Sequence, residues 1–200
     1  MVNLILCSGS RSGPLAIAAG GLAASSRLKL ITAIDERSAG FLGLGISTAY
    51  GKATVVITTS GTAVSNLLPS AIEADRSCQP IIFITADRPL RLKNCGSNQT
   101  VNQEEFLLPA CRSIQQGPCH GIHELDKASL SQLVQNTWDS AHQVPGPVHL
   151  NLSIEEPLHA SFSDQKAVWN GWEPDFYNQL SLPQKVEKNE PYIRETSSQL

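Results

Sequence analysis

Short apolar runs alternate with longer amphipathic or small-residue stretches along most of the chain. Runs at 2–7, 28–34, 54–59, 80–85, 112–115 and 148–152 have strand length, and most are continuously apolar. Strands of that kind are buried on both faces, as in a parallel sheet clad by helices. Between them the pattern predicts helices over 14–24, 36–50, 63–75 and 126–143. Pro14 opens the first, Asp35 is suited to cap the second, and Thr62 precedes the third. This alternation predicts an α/β fold: a doubly wound, mainly parallel sheet with helices on both faces and right-handed crossovers. The domain is expected to occupy residues 1–158. From 159 to 200 scattered prolines, charges and isolated aromatics keep no sustained period. That stretch predicts an irregular tail or linker, with Trp169, Trp172 and Phe176 docking on the domain or on a partner.

Totals narrow the classes. Two hundred residues suit one such domain plus a tail. A formal net charge of −3 without a basic cluster argues against nucleic-acid or membrane-surface partners. No segment approaches the length of a membrane span. The run at 2–7 is too short for a secretory leader and lacks basic residues before it. Five cysteines, Cys7, Cys78, Cys95, Cys111 and Cys119, are odd in number and never spaced C-x-x-C. They read as reduced, mostly buried thiols of a cytoplasmic protein. His120 and His123 lack acidic or cysteine partners at metal spacing, so no metal site is expected in this chain.

In an open parallel sheet, ligands bind beyond the carboxyl ends of the strands. Those ends carry "SGSRSGP", "DER", "TSGTAV" and "ADRP" in turn, each with polar or charged groups, most beside glycine or proline. The first is no Walker loop, because Gly-Lys-Ser/Thr is missing, and Arg11 stands where a hydrolase elbow needs serine. Ser10 and Arg11 then form either a carboxylate- or phosphate-binding turn or a surface turn with a solvated arginine. Ser60, Gly61 and Thr62 put N–H groups and hydroxyls at a helix start, where Ser60 or Thr62 could equally be a plain cap. "ADRPLRLKNCGSNQ" keeps no period over about fourteen residues, long for a connection. Arg88, Asn98 and Gln99 in it are planar donors for carboxylates and hydroxyls, while Arg91 and Lys93 read as solvated.

Glu36 is surplus to capping, since Asp35 already fills that role. In a first helical turn an acid gains a few tenths of a kcal/mol from the helix dipole, enough to explain it if exposed. The helix it opens holds Gly40, Gly43 and Gly45, each costing roughly 1 kcal/mol relative to alanine. Phe41, Leu42, Leu44 and Ile46 spread around its circumference. Such a helix needs close packing on all sides, which predicts a subunit interface beside the sheet. Glu36 would lie at its edge and require a partner.

The runs "GSRSGPLAIAA", "DERSAGFLGLG", "VVITTSGTAVSNLLPSAIEA", "PIIFITADRP", "NCGSNQT" and "GPVHLNLSIEEPL" resemble the N-terminal pyrimidine-binding domain of thiamine-diphosphate enzymes. The similarity covers about residues 3–158. "TADRP" followed by "CGSNQ" points within that superfamily to the 2-succinyl-5-enolpyruvyl-6-hydroxy-3-cyclohexene-1-carboxylate (SEPHCHC) synthases of menaquinone and phylloquinone biosynthesis. The resemblance implies that Glu36 hydrogen-bonds N1′ of the cofactor's aminopyrimidine and favours its imino tautomer. It implies that Ser60, Gly61 and Thr62 border the cofactor, and that Ser10, Arg11, Arg88, Asn98 and Gln99 line the substrate pocket. The implied reaction is decarboxylation of 2-oxoglutarate and addition of the succinic-semialdehyde unit to isochorismate. Mg2+ or Mn2+ would be held by a diphosphate-binding domain, in a homodimer or homotetramer. Three departures accompany it. The usual helix before the first strand is missing, Ser8 stands where proline is usual, and the Gly-Asp-Gly signature of the diphosphate domain is absent from these residues. The chain alone is therefore expected to be a fragment with half an active site, inactive by itself. Alternatives are an acetolactate-synthase-like enzyme, or a non-catalytic domain that pairs with a separate diphosphate-binding chain.

Overall fold

The computed structural model describes residues 2–170. Six strands, β1 (Val2–Cys7), β2 (Leu28–Ala33), β3 (Thr54–Thr58), β4 (Ile81–Asp87), β5 (Ser113–Gln116) and β6 (Pro147–Ser153), form one sheet in the order β2-β1-β3-β4-β6-β5. Every neighbouring pair is parallel. The inner strands β3 and β6 are buried at every position, whereas the edge strands β2 and β5 are only partly covered. Continuous apolar runs therefore mark the interior of the sheet, as the sequence pattern requires.

Side chains alternate between two cores. Ile5, Val56, Ile81 and Phe83 point to one face, where they meet Ala39 and Leu44 of helix α2 (Glu36–Tyr50) and Ala71 and Ala74 of helix α4 (Leu68–Arg76). Leu4, Leu6, Val55, Ile57 and Val148 point to the other, against Ala19 of helix α1 (Gly13–Ala24) and Ala141 of helix α5 (Lys127–Gln143). The doubly wound α/β class is as expected.

Local chemistry sets the helix ends. The Asp35 carboxylate accepts from Ser38 N at 2.7 Å and Asp126 from Ser129 N at 2.7 Å, so each is the N-cap of the helix that follows. The single helix expected over 63–75 is two: α3 (Thr62–Ser65) and α4, with Pro69 in the first turn of α4. Proline has no N–H to continue the preceding helix and clashes with its carbonyls, so the chain restarts there.

Two further expectations are corrected. Only Cys7 of the five thiols is buried; Cys78 and Cys111 are half-buried, and Cys95 and Cys119 are exposed, although all five are free. The two exposed ones lie in connections outside the sheet, where no core reaches them. In the stretch read as irregular, Phe162–Asn170 form helix α6. Ser161 begins it: its hydroxyl accepts from Asp164 N at 3.2 Å, a Ser-x-x-Asp cap present in "SFSD". Trp169 lies on Gly21 of α1, in contact with the place a Cβ would occupy, so this aromatic does dock on the domain. Trp172 and Phe176 lie outside the described residues.

Candidate active site

The strand order reverses between β1 and β3, since β2 follows on one side and β3 on the other. Crevices open beyond such switch points. The loops after these strands touch: a Cβ on Gly9 would fall 2.6 Å from Thr59 Cγ2. Ser10 on the first loop is exposed, but Arg11 is 6% exposed and does not sit in solvent. Its Nη1 donates to the Ile154 carbonyl at 2.9 Å, and its Nη2 reaches Glu156 Oε1 at 3.4 Å. The loop after β1 is thus tied to the loop after β6. Arg11 Nε is buried with no partner.

Neither Ser60 nor Thr62 caps α3; its N-cap is Gly61, without a side-chain bond. Ser60 is buried and its hydroxyl accepts from Arg88 Nη1 at 2.5 Å. Gly61 has φ of 79°, and a Cβ there would lie 2.6 Å from Gln99 Cγ. That backbone and that contact both require glycine. Thr62 faces solvent. The structure thus brings Arg88, Ser60, Gly61 and Gln99 together. Arg88 Nη1 also donates to the Gln99 carbonyl (2.8 Å), and Gln99 Nε2 donates to the Ser60 carbonyl (2.8 Å). Asn98 is exposed, and its side chain makes no hydrogen bond among the described residues. Arg88 is held below its usual pKa, first by burial and next by the neighbouring positive charge of Arg11. Two guanidiniums that feel one another, one with an unused buried donor, favour an anion beyond the Glu156 carboxylate already at Arg11.

Beneath this turn lies a buried polar group that sequence reasoning did not find. Asp87 Oδ1 accepts from Arg88 N (2.7 Å), and its Oδ2 accepts from Asn151 Nδ2 (2.9 Å) and Lys93 Nζ (2.8 Å). Fully buried Gln103 donates to Asn151 Oδ1 (2.8 Å) and accepts from Gly61 N (2.9 Å). Lys93, read as solvated, has a side chain only 14% exposed between Asp87 and Glu104. Burial opposes its charge, but bonds to Asp87 and then Glu104 outweigh that and raise its pKa. Arg91 is exposed yet clasps Glu155 at 2.9 and 2.5 Å. One sequence signal existed for Asp87: an acid ending an apolar strand, in "IIFITAD".

Glu36 opens α2 on the far flank, beside the end of β1. It is half-buried and has no hydrogen-bond or ion partner among the described residues. The Cys7 thiol registers it: burial first, then the Glu36 charge and then Asp35, push that thiol up to about 11. Within this chain α2 is closely packed on one side. Gly40 and Gly43 press on Ser70 and Val56, whereas nothing lies within 4 Å of a Cβ at Gly45. Ile34 is 99% exposed and Tyr50 65%, with Phe41 and Leu42 also uncovered. Among the described residues no cluster of histidine, cysteine and carboxylate side chains is arranged to hold a metal. No helix of the described residues is long and apolar enough to cross a membrane.

Residues 7–106 match the family described as thiamine pyrophosphate enzyme, N-terminal TPP binding domain. Similar curated proteins are named 2-succinyl-5-enolpyruvyl-6-hydroxy-3-cyclohexene-1-carboxylate synthase. One from Prochlorococcus marinus is 64% identical over 181 residues, covering 90% of this chain and 32% of that protein. Another strain's is 63% identical over 172 residues (86% and 30%), and one from Synechococcus sp. is 58% identical over 172 residues (86% and 30%). The chain thus spans about a third of the length of these relatives. With the switch-point crevice and half of its length matched, the chain belongs to the thiamine pyrophosphate enzymes, within their N-terminal TPP-binding domain family.

Proposed function

We propose that the chain supplies the pyrimidine-binding side of the active site of a thiamine-diphosphate-dependent SEPHCHC synthase, the name its relatives carry. On this reading residues 1–158 are the pyrimidine-binding domain and 159–200 lead toward a central domain. The observation that carries the substrate class is Arg11: a side chain only 7% exposed, with an unused buried Nε, that feels the positive charge of Arg88. A buried donor on a cation is costly to leave unmatched, and a carboxylate matches it. Both 2-oxoglutarate and isochorismate are dicarboxylates.

The cofactor fits the residues present. Glu36 is a half-buried carboxylate with no internal partner, which suits a ring nitrogen of the aminopyrimidine. Ser60, Gly61 and Thr62 would border the ring. Bound thiamine diphosphate supplies the electron sink that decarboxylation of a 2-oxo acid needs. The chain's own residues do the rest: Glu36 holds the proton shared with N1′, and Arg11 and Arg88 hold substrate carboxylates. Ser10, Asn98 and Gln99 orient the remaining oxygens. Mg2+ or Mn2+ and the diphosphate belong to a domain beyond these residues. A second subunit, in a homodimer or homotetramer of the cytoplasm, covers the apolar outer face of α2.

The test is a chimera in which this chain replaces the corresponding third of the Prochlorococcus marinus synthase. Release of carbon dioxide from 2-oxoglutarate and product formation with isochorismate support the proposal. A folded, assembled chimera that accepts pyruvate and ignores 2-oxoglutarate overturns it.

A further inference from the structure

At the carboxyl edge of β3, β4 and β6, six residues form one closed circuit of five hydrogen bonds and the Ser60–Gly61 peptide link. Gln103 Oε1 accepts from Gly61 N, and the adjoining Ser60 hydroxyl accepts from Arg88 Nη1. The Arg88 amide donates to Asp87, Asp87 accepts from Asn151, and Asn151 accepts from Gln103 Nε2 at 2.8 Å. Arg88 is therefore held twice, at its head through the Ser60 turn and at its backbone through Asp87. Gln103 is where the two holds join. It is fully buried, and its amide also donates to the Ala86 carbonyl at 3.2 Å. Only a side chain that accepts at one atom and donates at the other closes the circuit.

We infer that Gln103 is a positioning residue that fixes the guanidinium of Arg88 for a substrate carboxylate. The inference takes its ligand from the dicarboxylate reading above but not its geometry. Gln103→Met keeps the length and removes both bonding functions. Gln103→Glu is the informative variant. Its ionised form turns an acceptor toward Asn151 Oδ1, while its protonated form accepts from Gly61 and donates to Asn151 like the glutamine. Burial first, and then the Asp87 charge across Asn151, raise that carboxyl above an ordinary glutamate, while Lys93 and Arg88 beside Asp87 oppose the shift.

The experiment uses the 200-residue chain at pH 6 and pH 8, following Gly61 amide exchange and the Arg88 Nε–H signal by NMR, with 2-oxoglutarate as probe. Gln103→Met should speed Gly61 exchange about tenfold, the loss of one buried hydrogen bond, and shift the Arg88 signal at both pH values. Gln103→Glu should do so at pH 8 and return toward wild type at pH 6. Affinity for 2-oxoglutarate, measured in the chimera, should follow in the same order, about tenfold weaker where the circuit is open. A merely space-filling residue gives no pH-dependent rescue. Wild-type Gly61 exchange and a wild-type Arg88 signal in folded Gln103→Met overturn the inference. If Gln103→Met does not fold, Gln103→Glu decides, followed upward from pH 6 until its carboxyl ionises: signals that stay wild-type through that ionisation overturn the inference. If the circuit responds but the chimera, assembled with thiamine diphosphate, takes no 2-oxoglutarate, the positioning role stands and the dicarboxylate reading falls.

Discussion

Lowering the pH should weaken this fold through one imidazole. His149 is fully buried on β6, its Nε2 2.7 Å from Thr85 Oγ1 and its Nδ1 without a partner. The Thr85 hydroxyl donates to Asn151 Oδ1 at 2.8 Å, so His149 Nε2 carries the proton and Nδ1 the lone pair. A second proton would sit on Nδ1 with nothing to receive it. Burial accordingly pushes the ring from 6.5 down to about 4, against a weaker opposing pull from Asp87. The unfolded chain takes the proton near its ordinary pKa while the folded chain refuses it. The contribution is therefore complete above about 6.5 and is lost as the pH falls toward 4. At about 1.4 kcal/mol per unit, that gap is worth about 3 kcal/mol, a large share of a typical domain's stability. His142 acts in the same direction: its Nε2 accepts from Ala53 N and its Nδ1 donates to the Trp138 carbonyl, so the neutral ring is fully used. The assay is urea unfolding at several pH values between 7.5 and 4.5. His149→Gln keeps a donor toward Thr85 and cannot titrate, so its slope should be flatter than wild type by about 1 kcal/mol per pH unit. Equal slopes in the two proteins would refute the assignment.

Other consequences follow from the same packing. Asp87→Asn places an amide where Lys93, Asn151 and the Arg88 amide all donate; with Glu104 still pairing Lys93, urea unfolding should show a loss of about 2–4 kcal/mol. A loss within experimental error would contradict the buried pairing. Gly43→Ala puts a Cβ 2.8 Å from Val56 Cγ2 and should cost about 1–3 kcal/mol. Gly45→Ala meets nothing within 4 Å, so the isolated chain should gain up to about 1 kcal/mol. In the chimera the Gly45 change should instead weaken subunit association, measured by sedimentation. Arg88→Ala should raise the KM for 2-oxoglutarate about 10- to 100-fold, the loss of charge-assisted hydrogen bonds, while thiamine diphosphate titrates the chimera as before.

The strands were readable because burial on both faces leaves an uninterrupted apolar run, so β1 matches its sequence range and α2 is bounded by Asp35 at its start. Boundaries slipped where the sheet outlasts hydrophobicity: β4 continues to Asp87 and β6 to Ser153, polar residues that still make ladder bonds. The loops at the carboxyl edge could be found from the switch-point rule, since it needs only strand order. What no local pattern revealed was the company these residues keep. Gln103 and Asn151 look like ordinary polar residues in sequence, and join a buried circuit only because β4 and β6 are neighbours. Lys93 was misread for a different reason: its partners, Asp87 and Glu104, are six residues before it and eleven after it, and only the fold of the long connection brings them together. Helix α6 was missed although "SFSD" carries its cap, because prolines on either side masked a short period.

The proposed chemistry returns to the side chain that opens α2. The most direct measurement is carbon dioxide release from 2-oxoglutarate by the chimera carrying Glu36→Gln, with folding and assembly checked on the same sample. The account predicts loss of at least two orders of magnitude in rate, in the range typical of removing a positioned proton-transfer group. Turnover close to that of the unsubstituted chimera would contradict it.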